Sequence, residues 1–248
     1  CTGARVDRVV VENGVTAGVV VKGRTVKARA VISNAGITNT IDRLVGREQF
    51  ASDFLNRFNQ VQVNNSSCQV YFGIRKGEVI EDIGDLLFTS TADEFSSEEM
   101  RRMDTKSRTF SLYYPKTRPD APPDHTIVAS MNANFDDWAR LDKAAYRAAK
   151  EAMIERCLVD LERYIPGVRA KIDTIESATP RTFHRYTLHT KGTSFGTKFE
   201  GLDISRSLHK EIAGLFHVGS VGIIMSGWLG AINYGVIVAN DVDGYLRS

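Results

Sequence analysis

The chain predicts an α+β fold, and three observations carry that expectation. Closely spaced strands open the chain, antiparallel strands mixed with helices fill its middle, and a short apolar strand with a glycine-containing helix start closes it. The middle therefore reads as an α+β region of antiparallel strands and helices inserted into something else.

The opening stretch RVDRVVVENGVTAGVVVKGRTVKARAVISNAG predicts three strands, over 5–11, 15–22 and 25–32. Asn13-Gly14 suits a tight hairpin turn and Lys22-Gly23 supplies a second reversal, so the strands form a meander. A loop at Asn34, Ala35 and Gly36 follows.

Between residues 40 and 60 the spacing of Ile41, Leu44, Val45, Phe54, Leu55 and Phe58 predicts two short helices. Strand-like runs come next at 68–74, 86–91, 109–114 and 126–133. Ser96 and Glu99 form a capping box ahead of a short charged helix through Met103. The stretch PKTRPDAPPD holds four of the six prolines and, with strands on both sides, reads as a hairpin loop. A long helix is expected within 142–164, with Tyr146, Ala149, Met153, Cys157, Leu161 and Tyr164 on one buried stripe. Pro166-Gly167 ends it.

Composition narrows the function. With 32 basic against 30 acidic side chains in 248 residues, nothing favours a nucleic-acid partner. Cys1, Cys68 and Cys157 are far apart and unaccompanied by histidine at a ligand spacing, which predicts reduced thiols, no metal site and a cytoplasmic protein. Strand-like valines within a few residues of Cys1 suggest a portion of a longer protein.

GTSFG, with Asp203 and His209 downstream, matches the nucleophile elbow of serine hydrolases around Ser194. An elbow needs a strand before it and a helix after it; the flanking TLHTK and TKFEGLD read as neither, which favours a glycine-rich loop. His184 and His189, five apart, do not share a helix face and read as hydrogen-bonding or surface residues. Arg101, Arg102, Lys106 and Arg108 would suit peripheral contact with an anionic membrane, but interleaved acids favour a solvated face.

Residues 213–240 contain no Asp, Glu, Lys or Arg, which is enough chain to span a bilayer. Glycines, Ser220, Ser226 and Asn233 make it a poor lipid-facing helix. GLFHVG reads instead as a buried strand entering a turn, followed by a helix N-terminus suited to a polar ligand.

The opening meander and the closing GLFHVGSVGIIMSGWLGAINYGVIVAND together resemble the second half of FAD-dependent oxidoreductases of the phytoene desaturase, carotenoid isomerase and retinol saturase type. RYIPGVRAKIDTIESATPRTFHRYTLHTKGTSFG between them is similar to the same family's Tyr-x-Pro-Gly, Thr-Pro and Gly-x-x-x-Gly pattern. The resemblance implies a Rossmann-like FAD-binding domain formed by 1–37 and 213–248 around a substrate domain, 38–212. It further implies cofactor contacts at Val6, Asn34, Ala35, Gly36, Gly219 and Ser220, and at Gly227, Trp228, Leu229, Gly230 and Ala231 under the flavin ring. Tyr186 and Ser194 are the candidate substrate-side residues, and no catalytic acid or base is assigned, because the flavin performs the redox step.

Two departures stand out. Ile224, Met225, Ser226 and Trp228 replace the family's proline and glycines, and the bulk of Met225 and Trp228 would crowd the flavin. No Gly-x-Gly-x-x-Gly phosphate loop is present, so this chain by itself is expected to bind FAD weakly or not at all. The resemblance implies saturation, desaturation or isomerisation of carbon-carbon double bonds in an apolar small-molecule substrate; a non-catalytic lipid- or partner-binding module is the alternative.

Overall fold

In the computed structural model, which describes residues 1–94, 96–117 and 125–248, β1 (Val6–Glu12), β2 (Val15–Val21) and β3 (Arg24–Lys27) form an antiparallel meander. Both reversals use pairs with positive φ, Asn13 at 53° with Gly14 at 76° and Lys22 at 50° with Gly23 at 73°. Two consecutive left-handed residues match the right-handed twist of the paired strands.

The stretch expected as one third strand is two strands in two sheets. β3 ends at Lys27, and β4 (Val31–Ser33) leaves the meander, the Val31 amide donating to the Gly214 carbonyl at 2.8 Å. α1 (Ile37–Asn39) then continues as a π-helical segment, Thr40–Val45, and after a 3-10 turn at Arg47–Gln49 comes α2 (Ser52–Phe58).

β5 (Ser66–Ile74), β6 (Leu86–Ser90), β7 (Ser107–Tyr113) and β8 (Thr126–Ala133) follow. The Ser96 capping box is only half formed. Ser96 Oγ accepts from the Glu98 and Glu99 amides, but the Glu99 carboxylate turns to Thr105 Oγ1 and Ser107 Oγ. With the reciprocal bond missing, a 3-10 turn, Glu99–Arg101, forms instead of a longer helix. Of the proline-rich stretch, Pro115–Thr117 make a 3-10 turn after β7, and the rest of the expected hairpin loop, 118–124, lies outside the described residues.

α3 (Phe135–Ala139) leads to α4 (Lys143–Tyr164), whose N-cap Asp142 accepts from the Ala145 amide at 2.8 Å. Met153, Cys157 and Leu161 are buried along it and Tyr146 and Ala149 half-buried. Tyr164 leaves the expected stripe: it is exposed, with its hydroxyl 2.8 Å from Thr89 Oγ1. Gly167, left-handed at φ 76°, separates α4 from α5 (Val168–Lys171), and β9 (Ile172–Ala178) follows. The five strands order as β6-β7-β8-β5-β9, antiparallel throughout. β5 alternates buried and half-buried along its whole length, so one face packs the core with α4 while the other is partly covered.

Two helices absent from the sequence reading come next, α6 (Pro180–Thr187) and α7 (Glu200–Glu211). α6 has a start signal that was legible: Thr179 Oγ1 contacts the Tyr146 hydroxyl, the Thr179 amide donates to Thr182 Oγ1, and proline stands at the first helical position. β10 (Leu215–His217), fully buried, pairs in parallel with β4, and α8 (Gly227–Arg247) closes the chain.

The chain packs as two compact units, residues 65–186 and residues 1–64 with 187–248. These breaks differ from the 37/38 and 212/213 borders read in the sequence because Ile41, Phe54 and Phe58 share a core with Val9, while Ile204, Leu208 and Ile212 join it from α7. Burying an aromatic or branched side chain of this kind contributes about 1.5–3 kcal/mol, so the helices on both sides of the insertion are held to the meander unit. No helix among the described residues is long and apolar enough to cross a membrane.

Candidate functional site

β4 and β10 run side by side in register, Val31 with Leu215, Ile32 with Phe216 and Ser33 with His217. Because they are parallel, their carboxyl ends deliver two loops to the same side: Asn34, Ala35 and Gly36 from one, Val218, Gly219 and Ser220 from the other. The Val218 amide donates to the Ser33 carbonyl at 2.9 Å, carrying the pairing one residue further. Crevices outside the carboxyl ends of parallel strands are where open α/β sheets bind ligands.

The two loops approach closely at Gly219, whose left-handed backbone favours glycine. Gly219 has φ 103°, and a Cβ added there would lie 2.4 Å from Asn34 Oδ1. A third segment joins them. Gly36, Ile37, Thr38, His189, Thr193, Gly196, Thr197 and Ser220 line one small cleft. Gly36 sits against the His189 ring, where an added Cβ would be 3.2 Å from Cδ2, and His189 Nδ1 is 3.3 Å from the Thr193 carbonyl.

Below the loops lies a buried polar chain. His217 Nε2 is 2.8 Å from the Ala35 carbonyl oxygen, and its Nδ1 is 2.7 Å from Ser205 Oγ on α7. Ser205 Oγ is in turn 2.6 Å from the Tyr234 hydroxyl on α8. Burial pushes the His217 imidazole down to about 4, against the lesser pull of the Ala35 hydrogen bond, and burial likewise raises Tyr234.

α8 starts at Gly227, and its N-cap Ser226 makes no side-chain cap. Its first-turn N–H groups therefore have no capping oxygen from Ser226, at the positive end of the helix dipole. Trp228 is 90% exposed and Leu229 75% exposed, whereas Met225 packs inward with Phe216, Val221 and Tyr234. Thus half-buried Met225 packs against the core, and Trp228 extends from the surface at the helix start.

The remaining candidates lie in other elements. Val6 pairs with Val21 in the meander. Tyr186 is 75% exposed on α6, with the Arg185 guanidinium over its ring at 5.6 Å, and lies in the other compact unit. Ser194 occupies the turn between Thr190–Gly192 and Gly196. A helix does follow GTSFG, contrary to the sequence reading, but it starts only at Glu200, after Thr197, Lys198 and Phe199. The other hydrolase-order residues serve packing and pairing: Asp203 accepts from Arg57 at 2.7 Å, and the His209 ring stacks on Phe216 at 5.5 Å. The basic stretch is also corrected in one residue. Arg108 is buried and paired with Asp160 at 3.0 Å rather than lying on a solvated face. Among the described residues, no three His, Cys, Asp or Glu side chains could hold a metal ion.

His217, Ser205 and Tyr234 belong to no motif in the sequence. The one available signal was a lone histidine inside an apolar strand.

These features define an α+β fold. The crystal structure of an oxidoreductase from Methanosarcina mazei superposes on 96% of this chain and 49% of its own, with a TM-score of 0.60 at 17% identity. No protein-family model matches the chain. Prolycopene isomerase, chloroplastic, of Arabidopsis thaliana is 27% identical over 193 residues, and that of Daucus carota 24% identical over 193 residues. Each match takes in 77% of this chain, which spans about a third of the relatives' length (32% and 31%). Over the matched residues the chain is similar to a portion of these prolycopene isomerases.

Proposed function

We propose that this chain contributes the β4 and β10 loops and the start of α8 to an FAD site. The enzyme of which they form part would saturate, desaturate or isomerise carbon-carbon double bonds of an apolar carotenoid-, retinoid- or isoprenoid-like substrate. The observation that carries the reading is the convergence of Asn34, Ala35 and Gly36 with Gly219 and Ser220 at the carboxyl ends of two parallel strands. Segments 1–37 and 213–248 then belong to the cofactor domain, and the substrate domain lies within 38–212, built on the compact unit 65–186.

The residues fit such a group. Gly219 and Gly36 allow backbone to approach closely, and a Cβ at Gly227 would meet nothing within 4 Å, which leaves the α8 start open. FAD, when bound, supplies hydride transfer at the flavin ring. Around it, this chain binds and orients: the N–H groups of the first turn of α8 favour negative charge, and exposed Trp228 and Leu229 offer apolar surface.

The test is whether the protein expressed from its complete gene binds flavin. It should purify yellow or take up FAD on reconstitution, and FAD should quench the fluorescence of Trp228, which is 90% exposed at the α8 start. Trp228→Phe should abolish most of that quenching. A colourless protein that takes up no FAD would sink the enzyme reading in favour of a non-catalytic binding module.

A further inference from the structure

The polar chain beneath the loops has a single direction. A backbone carbonyl can only accept, so His217 Nε2, 2.8 Å from the Ala35 oxygen, carries the proton. The ring is neutral, so Nδ1 is an acceptor and the Ser205 hydroxyl donates to it across 2.7 Å. Ser205 Oγ, its own proton spent, accepts from the Tyr234 hydroxyl at 2.6 Å. All three side chains are buried, with Ser205 and His217 each 2% exposed and Tyr234 1%.

We infer that His217 is a positioning residue that holds the Asn34-Ala35-Gly36 loop in place beside Gly219 and Ser220, through the one-way relay Tyr234 to Ser205 to His217 to the Ala35 carbonyl. The inference rests on reading these loops as the ligand-binding loops. Each relay member comes from a different element: α8, α7, the end of β10 and the loop after β4. The far side of the loop is tied separately, because the Ala35 amide faces Ser33 Oγ at 3.4 Å and Ser33 Oγ contacts Thr40 Oγ1 at 2.7 Å. With both its amide and its carbonyl committed, Ala35 has one orientation, and the chain that fixes it also anchors α8 at Tyr234, about two turns beyond its exposed start. Buried networks of this kind specify a single arrangement because an unpaired member is costly.

Long-range proton-nitrogen correlation on histidine-labelled protein should show His217 as the neutral Nε2–H form. Hydrogen exchange then tests the positioning. His217→Leu and Ser205→Ala should each accelerate exchange in 34–40 and 218–222 by about tenfold or more, the value of an unpaired buried hydrogen bond. His217→Gln, which keeps a donor for the Ala35 carbonyl, should stay near wild type, and amides of the meander 6–21 should not change in any variant. If His217→Leu does not fold, Tyr234→Phe, which removes only the terminal donor, should still accelerate the loops severalfold. An Nδ1–H tautomer, or loops as protected in His217→Leu as in His217→Gln, would overturn the inference. Normal relay behaviour in a protein that takes up no FAD would reject the ligand reading while leaving the relay standing.

Discussion

A Cβ added to Gly196 would stand 1.7 Å from the carbonyl oxygen of Ser220, and Gly196 has φ 65°. The Gly-x-x-x-Gly loop and the turn after β10 therefore touch backbone to backbone, which no residue with a side chain permits.

Gly196→Ala should destabilise the protein by at least about 2 kcal/mol, since it combines a left-handed conformation with a backbone clash. Gly77→Ala, at φ 89° but with nothing within 4 Å of the new Cβ, is the control and should cost only about 1 kcal/mol. Urea unfolding midpoints of the two variants distinguish packing from conformational strain.

The buried His217 confers a pH dependence of definite sign. Its folded value is lowered to about 4 from an ordinary 6.5, so the unfolded chain takes up a proton that the native chain refuses. The stability it contributes is complete above pH 6.5 and is lost as pH falls towards 4, a total of about 3 kcal/mol. Urea denaturation at pH 7 and pH 4.5 should show this loss in the wild type and a smaller one in His217→Gln.

Arg108 and Asp160 form an ion pair at 3.0 Å with side chains 3% and 12% exposed, and Arg108 also donates to the Thr105 carbonyl at 2.8 Å. Asp160→Ala leaves a buried guanidinium without its carboxylate and should cost about 3–5 kcal/mol. Replacing both residues, as Arg108→Met with Asp160→Leu, should cost clearly less than the single change. A double-variant loss equal to the sum of the Arg108→Met and Asp160→Leu losses in thermal unfolding would show that the charge pair contributes no coupling.

Cys68 and Cys157 are buried and Cys1 is exposed. Burial raises the Cys68 thiol and pushes Cys157 up to about 11, so neither supplies thiolate near neutral pH. In the folded protein at pH 8, a thiol reagent should modify Cys1 rapidly and reach the other two only after denaturant is added. Fast reaction of two or three thiols would contradict this.

Local chemistry was legible in the chain itself. Asn13-Gly14 and Lys22-Gly23 announce their reversals because they tolerate positive φ, and the period of Met153, Cys157 and Leu161 announces a helix with one buried face. The short buried strand before the helix start at Gly227 was equally readable, and so was the pairing of the chain's two ends through their resemblance to one family. What the sequence left out were arrangements decided by distant partners. Residues 25–32 look like one strand, yet they split because the Val31 amide bonds to Gly214, some 180 residues away. Arg108 looks like one more surface cation until Asp160 on α4 takes it into the core. Ser205, His217 and Tyr234 carry no spacing signal at all, since three different elements bring them together. The sequence by itself determined turns, periodicities and family likeness, which depend on neighbours along the chain; tertiary structure decided sheet membership, buried charge and the relay, because hydrogen bonds and ion pairs form between groups close in space whatever their separation in the chain.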